Sequence, residues 1–209
     1  MMTRRAAVLA APALVPLSMA AVFGLLARRL PPRRAYNVGF GIYWLGWCLA
    51  FPVWVLGRRR AATVLLSGRR PTVGEAVVLA VPVLGAAATV LVPYRRDIDS
   101  GVALVMVGSA AVNAVGEELL WRGVFLEEFP GDPVRGCLWP LAGFAVWHLA
   151  PQIVLPSRLG RVRFVLGAAV VGSTSALAAW RGAGLRATLL PHLAADACGV
   201  MAARFRLGR

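Results

Sequence analysis

Two adjacent glutamates, Glu117 and Glu118, stand with Arg122 in the otherwise apolar run Ala114-Val115-Gly116-Glu117-Glu118-Leu119-Leu120-Trp121-Arg122. One ionised side chain at the centre of a membrane helix costs about 2.5–3.5 kcal/mol on insertion scales, so two carboxylates there need a compensating role. Helical residues four apart share a face, so Glu118 and Arg122 are expected to pair. Glu117 lies about 100° round, one turn from Asn113. One carboxylate is then held by the arginine and the other is left available. The bland alternative is a buried ion-pair latch that fixes helix packing. The chain's two histidines also fall in apolar runs, His148 after Phe144-Ala145-Val146-Trp147 and His192 at the head of Pro191-His192-Leu193-Ala194-Ala195-Asp196. His192 and Asp196 share a helical face, where the carboxylate can orient or charge the imidazole. A glutamate and a histidine about a water form a general-base pair, and a second histidine can donate a hydrogen bond to a developing oxyanion. That inventory suits hydrolysis of an amide.

The elements that must position these groups are membrane helices. Of the 209 residues 59% are hydrophobic and only 15% charged, against about 25% charged in an ordinary soluble domain. The net charge of +14 comes from arginines clustered between apolar runs, which reads as contact with lipid headgroups and not as a nucleic-acid stripe. Seven runs approach the roughly 20 residues a helix needs to cross a bilayer: 6–27, 35–57, 72–93, 101–125, 137–156, 164–180 and 185–203. No linker or repeat divides them, so residues 1–209 are expected to form one all-α polytopic bundle of about seven transmembrane helices, multi-pass in a bacterial plasma membrane. The first run, of 22 residues, exceeds the roughly 7–15 of a signal-peptide core and is expected to be retained as a helix. If the fourth, fifth and seventh runs alternate in direction, Glu117, His148, His192 and Asp196 fall within about the middle half of a roughly 30 Å core.

Other features carry structural expectations. Pro12, Pro16 and Pro52 predict kinks that membrane helices tolerate, and Glu75 suits a helix N-terminus. Gly167, Gly172, Ser173, Ser175 and Ala176 predict close helix packing. Cys48, Cys137 and Cys198 share no metal-like spacing and read as small packing residues. Glu127-Glu128 repeats the acidic dipeptide but precedes Phe129-Pro130-Gly131-Asp132-Pro133, which predicts a solvated loop. Arginines divide nearly evenly between alternate loops, so the positive-inside rule assigns no orientation.

Glu117-Glu118-x-x-x-Arg122, Phe144-x-x-x-His148 and His192-x-x-x-Asp196, in this order on separate apolar runs, resemble the motifs of the CAAX protease and bacteriocin-processing family of intramembrane proteases. This group, also called the Abi family, includes the type II CAAX prenyl endopeptidases. The resemblance covers 101–203. It implies hydrolysis of a peptide bond in a membrane-associated peptide or protein, with Glu117 and His148 activating water. Glu118 and Arg122 would support the site, alongside Asn113 and Phe144, and His192 with Asp196 would stabilise the oxyanion. The prenyl endopeptidases carry asparagine where this chain has Asp196. An ionised Asp196 would repel the oxyanion, so this side chain must be protonated, hold His192 as a cation, or help bind a metal. The His-Glu-x-x-His zinc signature is absent, which leaves the cofactor open between none and a divalent metal such as zinc. The competing reading is a catalytically silent relative that regulates another membrane protein or confers self-immunity to a bacteriocin.

Overall fold

The computed structural model describes residues 3–157 and 160–199, all-helical where regular. Helix α1 (Arg4–Ala27) is followed by α2 (Pro32–Leu56), the short α3 (Arg58–Leu65), α4 (Val73–Tyr94) and α5 (Ser100–Glu128). Helix α6 covers 134–147, and α7 (Arg161–Ala178) and α8 (Gly184–Cys198) complete the bundle. Helices α1, α2, α4, α5 and the joined stretch Arg161–Cys198 are long and apolar enough to cross a membrane. The break between α7 and α8 lies at Gly182 and Gly184, with φ of 91° and 68°, a region that only glycine enters without steric cost. The chain is an integral membrane protein of several spans. Positions 200–203 of the last expected run lie outside the described residues.

The fifth run departs from expectation. Its helix ends at Trp147, after about 21 Å of rise, and 148–156 continue as turns around a single 3-10 turn at Pro151–Ile153. Pro151 has no N–H to return to Trp147, and the last turn tightens instead, with Ala150 N–H donating to the Trp147 carbonyl at 2.9 Å. His148 is therefore the C-cap residue of α6, with its own carbonyl held by Gln152 Nε2 at 2.9 Å.

Prolines also explain where the helices widen. The π-helical stretches Tyr43–Ala50, Ala87–Leu91 and Val134–Leu138 each end two residues before a proline, Pro52, Pro93 and Pro140. A proline ring clashes with the carbonyl four residues back and removes a donor, and a local π adjustment re-satisfies the backbone. By contrast α1 runs unbroken through Pro12 and Pro16. At the start of α4, Thr72 and Glu75 form a reciprocal capping box, and Arg69 Nη2 lies 2.6 Å from Glu75 Oε1, the helix-start role expected of this glutamate.

The core joins α1, α2, α5 and α6 through Val15, Met19, Phe23, Tyr36, Phe40, Tyr43, Trp121, Phe125, Phe144 and Trp147. Without a hydrophobic drive between helices in lipid, small residues decide how close the backbones come. A Cβ on Gly116 would lie 2.7 Å from Cys48 Cβ, so Cys48 packs α2 against α5. In α7, Gly172, Ser175 and Ala176 are buried as packing residues, whereas Ser173 is exposed and Gly167 borders a cavity. A Cβ on Gly143 would lie 2.6 Å from Pro12 Cα. Gly143→Ala should accordingly force α1 and α6 apart and cost about 1–3 kcal/mol, read as a lower unfolding temperature in detergent. Gly24→Ala, where nothing lies within 4 Å, should leave that temperature unchanged or raise it. A Gly143→Ala protein as stable as wild type would contradict the close approach.

The acidic pair Glu127-Glu128 is not a solvated loop. It forms the last turn of α5, where Glu128 is 8% exposed, with Arg4 Nη2 at 3.0 Å from Oε1 and Arg5 Nε at 3.7 Å from Oε2. Arg60 Nε is 2.7 Å from Glu127 Oε2. The partners lie far away in sequence, and the turn residues that suggested a loop begin only at Phe129.

Candidate functional site

Helix α5 carries Asn113, Glu117, Glu118 and Arg122 into the middle of the bundle, and its turn widens to a π-helical stretch at Leu119–Gly123 just beyond the glutamates. Such bulges recur at functional positions. The two carboxylates diverge. Glu117 Oε1 accepts from Tyr43 Oη at 3.0 Å and from Trp147 Nε1 at 3.0 Å. Its Oε2 accepts from Asn113 Nδ2 at 3.1 Å. Glu118 turns to α8, where Thr188 Oγ1 donates at 2.6 Å and His192 Nδ1 at 2.7 Å. Both glutamates are at most 1% exposed, so every lone pair not filled by a donor would be costly.

His192 bridges them. Its Nε2 lies 3.4 Å from Glu117 Oε2 and 3.7 Å from Asp196 Oδ2. Asn113 closes the ring from the opposite side, donating from Nδ2 to Asp196 Oδ2 at 2.8 Å as well as to Glu117, while Trp44 Nε1 donates to its Oδ1 at 2.9 Å and fixes the orientation of the amide. The predicted spacings thus hold at atomic level. Glu118 pairs with Arg122 Nη1 at 3.4 Å, and Asn113 meets Glu117. Arg122 also stacks over Phe144, its guanidinium carbon 4.4 Å from the ring centroid, which gives Phe144 a cation–π role.

His148 is held differently. Its Nδ1 donates to the Phe144 carbonyl at 2.7 Å, and the Phe144 ring stands between the two imidazoles, with centroids 4.7 Å from His148 and 6.1 Å from His192. His148, His192, Asp196 and Phe144 border a cavity of about 590 Å³ walled by α4, α7 and α8. It reaches from His192 and Asp196 at mid-bundle to Tyr94, Ser157 and Arg163 near the helix ends. Glu117 and Glu118 lie behind His192, away from the cavity lining.

The sequence did not single out Tyr43, Trp44, Trp121, Trp147 or Thr188. Tyr43 stacks on Trp147 with centroids 3.8 Å apart and accepts from Trp121 Nε1 at 2.9 Å. These aromatics sit in apolar runs among other tryptophans, such as the exposed Trp54, that hold nothing comparable. Only their polar tips set them apart, and those matter once a buried acceptor is near.

Glu117, His192 and Asp196 offer one donor atom each, all within 4.8 Å of one another. Two carboxylates and an imidazole suit a divalent metal as well as they suit a water.

Among comparisons with known proteins, residues 99–198 match the family model described as type II CAAX prenyl endopeptidase Rce1-like. No curated protein and no solved structure gave a match.

Proposed function

Because residues 99–198 belong to the CAAX protease family, we propose that the protein is an intramembrane endopeptidase that cuts a peptide bond of a membrane-associated peptide or protein. The observation that carries this reading is the meeting of Glu117 with His192 and Asp196, the latter two bordering the inner end of a largely apolar cavity that His148 also borders. Hydrolysis needs a water beside a proton acceptor and a donor for the oxyanion. Glu117 has Oε1 occupied by Tyr43 and Trp147, so Oε2, which among the described residues accepts only from Asn113 and lies on the side of His192, is the oxygen with a lone pair left to receive a proton from water. His148 and His192, on either side of Phe144, face the same space, and each can share the proton or the oxyanion. Asn113, itself held by Trp44, holds the carboxylates of Glu117 and Asp196, while Glu118, anchored by Thr188, holds His192.

The walls suit an extended apolar chain, with Val81, Ala86, Val90, Phe164 and Val171 along it. Helix α4 is the loosest wall, with Leu79 and Val90 as its buried side chains. A substrate coming laterally from the bilayer would pass there.

Proteomics of membrane peptides from cells carrying wild type or Glu117→Ala tests the reading. Fragments with a new terminus inside or beside an apolar segment should appear with wild type and vanish with the variant. Identical peptide sets, with both proteins equally abundant, would favour a silent regulator or immunity protein over a protease.

A further inference from the structure

The arginines between the helices are not all placed alike. At the end of the bundle where α1 begins and α5 finishes, Arg4 and Arg5 pair with Glu128, Arg60 with Glu127, and Arg69 with Glu75. At the other end, Arg163 has no ion-pair partner among the described residues, and it borders the outer end of the cavity together with Tyr94 and Ser157. Arg95, Arg96 and Arg161 are exposed within two residues of Tyr94 or Arg163. The acidic residues in these stretches are Asp97 and Asp99, and Asp99 already accepts from the Val102 N–H at 2.8 Å. The mouth is therefore rich in positive charge.

Behind that mouth the walls are apolar, with Val81, Ala86 and Val90 on α4, Ala168 and Val171 on α7, and Ala195 on α8. From Tyr94 back to Val81, α4 rises roughly 20 Å, about the depth of one leaflet with its headgroup region. Tyr94 closes α4 and Arg163 lies in the first turn of α7, so the polar end stands at the bilayer surface, where tyrosine and arginine commonly sit. The order of groups is that met by a lipid in its own leaflet, with charge and phenol at the surface and hydrocarbon towards the midplane. The volume of about 590 Å³ falls within the roughly 300–1,000 Å³ of small-ligand sites. Gly85 and Gly167 line the middle, where an added Cβ would meet nothing within 4 Å, so a chain has room to lie there. At the inner end His192 Nδ1 and Asp196 Oδ2 are already engaged, by Glu118 and Asn113. Helix α4, with Leu79 and Val90 as its buried side chains, leaves a sideways path from the bilayer.

We propose that the cavity binds one anionic phospholipid of the surrounding leaflet, its phosphate at Arg163 and Tyr94 and one acyl chain laid between α4 and α7 towards His192. A guanidinium holds phosphate oxygens through forked, charge-assisted hydrogen bonds, and the neighbouring arginines attract a headgroup of net negative charge. A choline headgroup brings its ammonium into the same positive field, so the site favours phosphatidylglycerol over phosphatidylcholine. The lipid fills the space that the hydrolytic reading gives to a peptide, and on that reading the two compete. Its binding is measured without any substrate and stands or falls apart from cleavage.

The test uses the full-length protein in phosphatidylcholine vesicles containing a trace of phosphatidylglycerol with a diazirine at the end of one acyl chain. After irradiation, mass spectrometry should find adducts on the cavity residues Ala168, Val171 and Ala195, besides those on the outward Leu166 and Leu177 that any lipid reaches. Excess unlabelled phosphatidylglycerol should suppress the cavity adducts, and the phosphatidylcholine analogue should give far fewer. Arg163→Gln should lower them at least about tenfold, the worth of one charged hydrogen bond. Arg59→Gln, at the opposite end of the bundle, should not. Gly167→Trp, which fills open space, should abolish them while leaving the outward adducts as a check that the bundle is intact. Adducts confined to outward residues, equal cavity labelling by the phosphatidylcholine analogue, or cavity labelling unchanged in Arg163→Gln would each overturn the proposal. A diazirine fatty acid that labels the cavity more strongly than phosphatidylglycerol would also overturn it, by placing a free carboxylate at Arg163.

Discussion

Glu117→Gln should lower peptide cleavage by the protein in reconstituted vesicles by about 10²–10⁴-fold, the usual worth of a positioned general acid or base. Glutamine keeps the shape, and its carbonyl oxygen can still accept from Tyr43 and Trp147, as Glu117 Oε1 does at 3.0 Å from each. The other atom becomes an NH₂ facing the NH₂ of Asn113 where Oε2 had accepted at 3.1 Å. Two donors in contact cost about 1–3 kcal/mol in a buried site, so the variant should fold with a lower unfolding temperature. Glu127→Gln is the matched control, because its carboxylate pairs with Arg60 at a partly exposed helix end. An exposed pair contributes about 0–1 kcal/mol, and nothing links it to the cavity. Cleavage rates that fall equally in both variants would show that activity does not run through the α5 centre.

The second large effect is expected on stability. Arg122 is 3% exposed and Glu118 fully buried, and the arginine ties three helices together. It faces Glu118 on α5, lies over Phe144 of α6, and donates from Nη2 to the Gly172 carbonyl of α7 at 3.4 Å. Arg122→Met keeps an apolar stem but leaves Glu118 without its cation, and breaking a buried pair by removing one partner costs about 3–5 kcal/mol. Thermal unfolding in detergent should therefore show a much lower midpoint and reduced accumulation in membranes. Arg60→Met removes an arginine from an exposed pair and should shift the midpoint little. If Arg122→Met melts no earlier than Arg60→Met, the buried pair does not hold the helices together.

Local spacing made the α5 centre legible before any coordinates. Asn113 to Glu117, Glu118 to Arg122 and His192 to Asp196 are each four residues apart, and a helix puts such pairs side by side whatever surrounds it; all three are in contact in the fold. The all-helical membrane class followed from composition and run length for the same reason, since lipid leaves few ways to satisfy a backbone. Contacts between helices were not legible, because nothing in a periodic apolar run encodes which neighbour it meets. Tyr43 and Trp147 reach Glu117 across 74 and 30 residues. The Glu128 partners Arg4 and Arg5 sit near the start of the chain, 123 residues away for Arg5, which is why an ordered helix end looked like a loop. His148 was read as lying inside a span, yet Pro151 stops α6 beside it and places its ring at the cavity edge. The sequence by itself determined the membrane helices and the residues that share a helical face. Tertiary structure alone decided that His192 lies between the two glutamates and faces Asp196, because that requires the packing of α5 against α8, set by side-chain shape across the whole bundle and not by spacing along one helix.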